Sequence, residues 1–289
     1  LASQAKAKHI IFCGVHFMAE TAEVLSAEDQ NVILPNMAAG CSMADMADIE
    51  DVQDAWNDLD AIFSNKDQII PITYMNSTAE IKSLCGVNGG LVCTSSTAKK
   101  AFQWAFDRAQ RVLFLPDQHL GRNTAKSLGI PLEEMVVWDP FKRMGGLSID
   151  EIEKSKVILW KGHCSVHTRF TVEQIENARN EFDANIIVHP ECTTEVVDRS
   201  DYVGSTEFIV DTINNASKGT AWAVGTEINL VNRLSINNKD KKIFCLDPVV
   251  CPCATMYRIH PAYLLWVLDG LRAGLIINHI MVYYSFLLL

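Results

Sequence analysis

The sequence has no run of lysine or arginine longer than a dipeptide, and its 35 acidic residues outnumber its 25 basic ones, leaving a formal charge of −10. With no basic stripe to neutralise a phosphate backbone, nucleic acid is not an expected partner. A small anionic substrate is not excluded, because free N–H groups at helix N-termini can hold one locally. There is also no apolar stretch of the roughly 20 residues that a membrane-spanning helix needs. The longest candidate, Leu275–Leu289, is 15 residues and is bounded by Asp269 and Arg272, so we expect a buried helix or a non-native tail there and no membrane partner. The opening residues Leu1–His9 carry no apolar core of signal-peptide length. The nine cysteines lack the regular spacing of a secreted disulfide framework, and their number is odd. A reducing, cytoplasmic location is the expectation.

What the sequence does contain is a repeating block, in which a short apolar strand ends in a polar or glycine-containing turn and a helix follows. The last copy runs through Asn185–Cys192, Asp201–Thr206, Ala221–Glu227 and Ile243–Cys253. The middle copy runs through Ile70–Asn76, Gly90–Ser96, Val112–Asp117 and Val157–Cys164, with an insertion before its fourth strand. The first copy supplies only two strands, Ile10–Phe17 and Val32–Cys41. This pattern predicts an α/β protein of three homologous small domains, each a parallel sheet in an αβα sandwich, set about a pseudo-threefold axis. The expected divisions are 1–45 for a first domain lacking its first two strands, 46–167 for the second and 168–260 for the third. Residues 261–289 would form a C-terminal helix and a divergent apolar tail.

Each copy ends in cysteine, so equivalent positions in the repeat would bring Cys41, Cys164 and Cys253 to one point. Three converging thiolates suit a [4Fe–4S] cluster with one iron left open, and zinc is the rival metal. The bland alternative is that they are buried structural cysteines, which is our reading for Cys13, Cys85, Cys93, Cys192 and Cys245. Cys251, two residues before Cys253, is a second candidate for the third ligand.

Gly14-Val-His-Phe-Met-Ala-Glu20, Asn36-Met-Ala-Ala-Gly-Cys41, Tyr74-Met-Asn76, Cys93-Thr-Ser-Ser96, Gly162-His-Cys-Ser-Val-His167, His189-Pro-Glu-Cys192, Gly204-Ser-Thr206 and Gly225-Thr-Glu227 occur along the chain, and together, over about residues 8 to 262, they resemble quinolinate synthase. The resemblance implies a [4Fe–4S] cluster held by Cys41, Cys164 and Cys253. It also implies condensation of iminosuccinate with dihydroxyacetone phosphate in NAD biosynthesis, and a functional link to L-aspartate oxidase or aspartate dehydrogenase. Glu191 would be the general base, with Tyr74 and His189 as further catalytic groups. Tyr74, Asn76, His167, His189 and Glu191 would contact substrate. Thr94-Ser95 and Ser205-Thr206 read first as helix N-caps, and the resemblance makes Ser95, Ser205 and Thr206 phosphate ligands as well. Asp117 and Glu227 match motif positions without an assigned role.

The chain departs from the family pattern in three places. An upstream strand with a His and a Tyr and a Gly-Asp-Ser turn are not present, so we expect a fragment with an open site and little or no activity. Thr97 stands where the family usually has Asn, and a threonine there would still cap the helix. The tail beyond Ile277 does not resemble the family's charged terminal helix. The rival classes are a non-catalytic iron–sulfur protein that carries or senses electrons, and a partial chain without a cluster.

Overall fold

A computed structural model describes residues 2–63, 68–249 and 252–282. The chain begins with β1 (His9–Ile11), crosses through α1 (His16–Val24) and returns as β2 (Asn31–Ile33), parallel to β1. After α2 (Ile49–Phe63) comes a five-stranded parallel sheet built from β3 (Ile69–Tyr74), β4 (Leu91–Cys93), β5 (Arg111–Leu115), β6 (Met135–Trp138) and β7 (Val157–Trp160). Its connections carry α3 (Ala79–Val87), α4 (Ala98–Phe106), α5 (Gln118–Ser127) and α6 (Ile149–Lys154). The third sheet follows α7 (Val172–Phe182) and comprises β8 (Asn185–Val188), β9 (Tyr202–Val203), β10 (Ala221–Gly225) and β11 (Lys242–Cys245). Between these strands lie α8 (Thr194–Arg199), α9 (Thr206–Asn215) and α10 (Ile228–Asn237), and α11 (Pro261–Arg272) comes last.

Strand order shows the repeat. The third sheet runs β11-β10-β8-β9 and the second β4-β3-β5-β7-β6, so both place the block's strands as second, first, third, fourth from one edge. The insertion contributes β6, which pairs outside β7 with Trp138 opposite Trp160. Side chains alternate across each sheet, as the two-residue period of a strand requires. In β5, Val112 and Phe114 pack with Phe102 of α4 and Leu120 of α5, while Leu113 and Leu115 pack with Trp56 and Leu59 of α2. In β8, Ile186 and Val188 meet α7 and α8, and Ile187 meets α9 and α10. Both faces are therefore covered, and the strands read as continuous apolar runs for that reason. The αβα layers expected from the repeat are what the chain forms.

In the first sheet β1 pairs only with β2 among the described residues, and all three of its residues are half-buried, whereas β3 is buried throughout. The outer edge of β2 is taken by the end of the chain. Leu34 N–H donates to Asn278 O at 3.1 Å, Ile280 N–H donates to Val32 O at 2.9 Å, and Ile280 is 2% exposed. Over residues 275–282 this corrects the helix alternative of the expectation for Leu275–Leu289. Helix α11 ends at Arg272 because Gly274 takes a left-handed φ of +79°, and the chain then runs antiparallel along β2 with Ile33 opposite His279. Residues 283–289 of that stretch, and Cys251, lie outside the described residues. Among the described residues no helix is long and apolar enough to cross a membrane.

Candidate active site

The strands of a parallel sheet point their carboxyl ends the same way, and the loops that leave those ends collect the polar groups. Here the loops after β2, β3, β7, β8, β9, β10 and β11 line one cavity of about 600 Å³. Cys41, Cys164 and Cys253 all line it, each from a different sheet, as do Tyr74, Asn76, His167, His189, Glu191 and Thr206. The Cys41 and Cys253 loops are tied together directly: the Asn36 amide donates to Arg258 O at 3.3 Å, and the Arg258 guanidinium donates to Ala38 O at 3.3 Å.

Glu191 is the centre of the polar wall. It is 3% exposed, and its carboxylate lies 2.8 Å from His167 Nδ1 and 3.8 Å from His189 Nδ1. The two imidazoles stack at 4.7 Å, and His167 Nε2 is 3.2 Å from the Thr226 hydroxyl. Burial works to raise the pKa of Glu191, but His189, His167 and hydrogen bonds from His167 and Tyr74 outweigh it and hold the carboxyl below its usual range. His189 is pushed down to about 4, chiefly by burial, so it is neutral at pH 7. Tyr74 is raised well above the usual phenol value by burial and then by the Glu191 charge, so it keeps its proton. Its hydroxyl hydrogen-bonds with Glu191 and Ser95.

Asp117 supplies a contrasting carboxyl. Its Oδ1 caps α5 by accepting from His119 N–H and Leu120 N–H, both at 2.7 Å, and its Oδ2 is buried without a hydrogen-bond partner. Burial, with the Glu191 charge added, raises its pKa well above the carboxylate range. Two buried carboxyls are thus shifted in opposite directions, Asp117 up and Glu191 down.

The thiols of Cys41 and Cys164 shift in the opposite sense to Glu191. Cys41 is pushed up to about 11 by burial, with Glu191 and Cys253 adding to the shift, and Cys164 is raised for the same leading reason. A bound cation would reverse that balance and draw out the thiolates. Among the described residues, the group close enough to share a single ion is Cys164, His167 and Glu191, whose donor atoms lie within 4.8 Å of one another. Cys41 and Cys253 stand outside that close set.

The serines and threonines divide differently from the sequence reading. Ser205 caps α9 as expected, accepting from Phe208 N–H at 3.3 Å, while Thr206 rather than Ser205 lines the cavity. Thr94 and Ser95 do not cap α4: the cap position is Thr97, whose hydroxyl accepts from Thr94 N–H instead of from the helix. The expectation that Thr97 would cap by its side chain is therefore corrected, because a local turn claims the hydroxyl first. Ser95 meets Tyr74 and is not part of the cavity lining. Glu227 has a clear local role as the cap of α10, accepting from Asn229 N–H at 2.8 Å. Thr226, Arg233 and Asn123 were not singled out from the sequence. The first two line the cavity, and the third braces the Glu191 loop from behind.

The chain is similar to known proteins along nearly its whole length. Residues 1–283 match the model of the quinolinate synthetase A protein family. The quinolinate synthase of Corynebacterium glutamicum is 58% identical over 281 residues, covering 97% of this chain and 71% of that protein. The quinolinate synthase of Bacillus cereus strain G9842 is 58% identical over 283 residues, covering 97% of this chain and 76% of that protein. Similarity that continuous makes this enzyme a member of the quinolinate synthase family.

Proposed function

We propose that the cavity forms quinolinate from iminosuccinate and dihydroxyacetone phosphate, with phosphate and water released, and that Cys41, Cys164 and Cys253 hold a [4Fe–4S] cluster. The observation that carries this reading is the meeting of those three cysteines, from three sheets, in the cavity that contains Glu191 and Tyr74. The donor set fits the group: three soft sulfurs, two of which, Cys41 and Cys164, sit where burial disfavours the thiolate until a cation arrives. The wider spread of Cys41 and Cys253 beyond the single-ion set also suits a polynuclear centre. When bound, the cluster would supply a Lewis-acidic iron with a position free for a substrate oxygen.

The chain's own groups divide the remaining work. Glu191, kept ionised, accepts the protons that carbon–carbon bond formation and ring closure release. Tyr74, kept protonated beside it, donates to a carbonyl or hydroxyl oxygen, and Asn76 orients a carboxylate or carbonyl. His189 stays neutral against Glu191 and His167 presents its ring between Glu191 and Thr226. Thr206, at the first turn of α9, offers backbone and hydroxyl donors to a phosphate; Ser205 would support it through the cap, and Ser95 through Tyr74. The chain divides into three homologous domains at 45, 167 and 260, a reading that the three separate parallel sheets support. Iminosuccinate arises from oxidation of aspartate, which motivates a functional link to an aspartate oxidase or dehydrogenase, and a reducing cytoplasm suits the thiols.

A second reading has one observation in its favour: a single divalent ion at Cys164, His167 and Glu191. Anaerobic reconstitution separates the two. About four irons and four sulfides per chain, with quinolinate formed from the two substrates, are expected, and Glu191→Gln should lower the turnover by at least about a hundredfold. One metal per chain without sulfide would overturn the cluster reading, and full turnover by Glu191→Gln would remove it as the base.

A further inference from the structure

The loop that carries His189 and Glu191 leaves the third sheet, but the side chain that grips it belongs to the second. Asn123 lies on α5, is 7% exposed, and its amide nitrogen donates to Pro190 O at 2.8 Å and to Cys192 O at 2.8 Å. Those are the two carbonyls on either side of Glu191. The amide oxygen in turn accepts from the Thr194 hydroxyl at 3.0 Å. Both N–H donors and the carbonyl are thus engaged, and this arrangement fixes which way the amide faces, since two carbonyl acceptors can be met only by the nitrogen.

Two carbonyls two positions apart, that of Cys192 buried and that of Pro190 partly buried, leave the intervening peptides little freedom once one amide group holds both. Without Asn123 they would be left without this donor, and a loop of that kind rotates to find other partners. A rotation of the 190–192 backbone swings the Glu191 carboxylate away from His167, which it meets at 2.8 Å. We propose that Asn123 is a positioning residue for Glu191: from the neighbouring sheet it sets the height and direction of the carboxylate, with Thr194 aiming the amide. This rests on the reading of Glu191 as the base. Residues that hold a reacting group in place act on turnover more than on substrate affinity, and their loss commonly costs 10- to 100-fold.

The test compares Asn123→Ala, Thr194→Val and the double variant with the parent, all reconstituted anaerobically and normalised to iron content. Asn123→Ala should lower kcat about 10- to 100-fold while KM for each substrate moves by less than about threefold. Thr194→Val should lower kcat in the same direction by a smaller factor. The double variant should be no worse than Asn123→Ala, because Thr194 acts through Asn123 alone. A parental kcat in folded, iron-loaded Asn123→Ala overturns the proposal; if that variant does not fold, a parental kcat in Thr194→Val overturns it instead. Should Glu191→Gln itself turn over normally, the reading of Glu191 fails. An inactive Glu191→Gln beside a fully active Asn123→Ala rejects only the role given to Asn123.

Discussion

At the scale of single residues, burial decides most protonation states, and neighbours decide the exceptions. His119, the residue after the first of α5, is the clearest case with a measurable outcome. Burial lowers its pKa from 6.5 to about 4, with Arg122 and His163 lowering it further, and its Nδ1 is buried without a partner. The unfolded chain takes up this proton near pH 6.5 while the folded chain resists until about pH 4. The unfolded state therefore binds more protons across that window, and stability falls as the pH drops through it. The urea midpoint of the parent should fall between pH 7 and pH 4.5, and His119→Gln should fall less over the same interval; equal falls would show that His119 contributes nothing to the slope.

That Cys41, Cys164 and Cys253 line one cavity was legible in the sequence, because the repeat gave them equivalent positions. The place of Asn123 was not legible, because its acceptors lie 67 and 69 positions away, so that a polar residue on an amphipathic helix reads as solvated. The contrast between Asp117 and Glu191 was equally hidden, because it comes from which neighbours surround each carboxyl in the fold. Thr94, Ser95 and Thr97 misled for a local reason: a hydroxyl in a turn can be claimed by the turn before the helix uses it.

At the scale of elements, the close approach of β5 and β7 matters most to the site. Gly162 follows β7 and precedes Cys164 by two residues, and a Cβ there would lie 2.1 Å from Pro116 O. Its carbonyl accepts from Gln118 N–H at 3.0 Å, so the turn after β7 is pinned against the start of α5. Gly162→Ala should push the Cys164 loop off this contact, reducing both the iron retained after reconstitution and the thermal midpoint. Parental iron content and midpoint would show that the backbone adjusts without cost. The strands themselves were readable from their apolar runs and the helices from their place in the repeat, whereas the caps at Asp117, Thr171 and Ser148 emerge only in the fold. The closing segment was not readable, since an apolar tail has the same composition whether it forms a helix or an edge strand.

At the scale of the whole molecule, three sheets present their carboxyl ends to one cavity, and the segment after α11 packs against the first of them. The Asn278 amide donates to Pro35 O at 3.2 Å, a span of 243 positions, and Ile280 packs with Val32 and Leu34. Placing a polar group in that contact should loosen the first sheet: Ile280→Asn is expected to cost about 2 to 4 kcal/mol, seen as a lower urea midpoint. A midpoint equal to the parent's would mean that the segment's packing contributes little.

The Asn36 to Arg258 bond spans 222 positions and joins the strand-end loops of Cys41 and Cys253. During synthesis the stretch bearing Cys41 leaves the ribosome long before Cys253 exists, and contacts so remote along the chain form late. A nascent polypeptide released before Arg258 has no complete wall around the cavity, so the cavity closes only once the segment from Cys253 to Arg258 has been made.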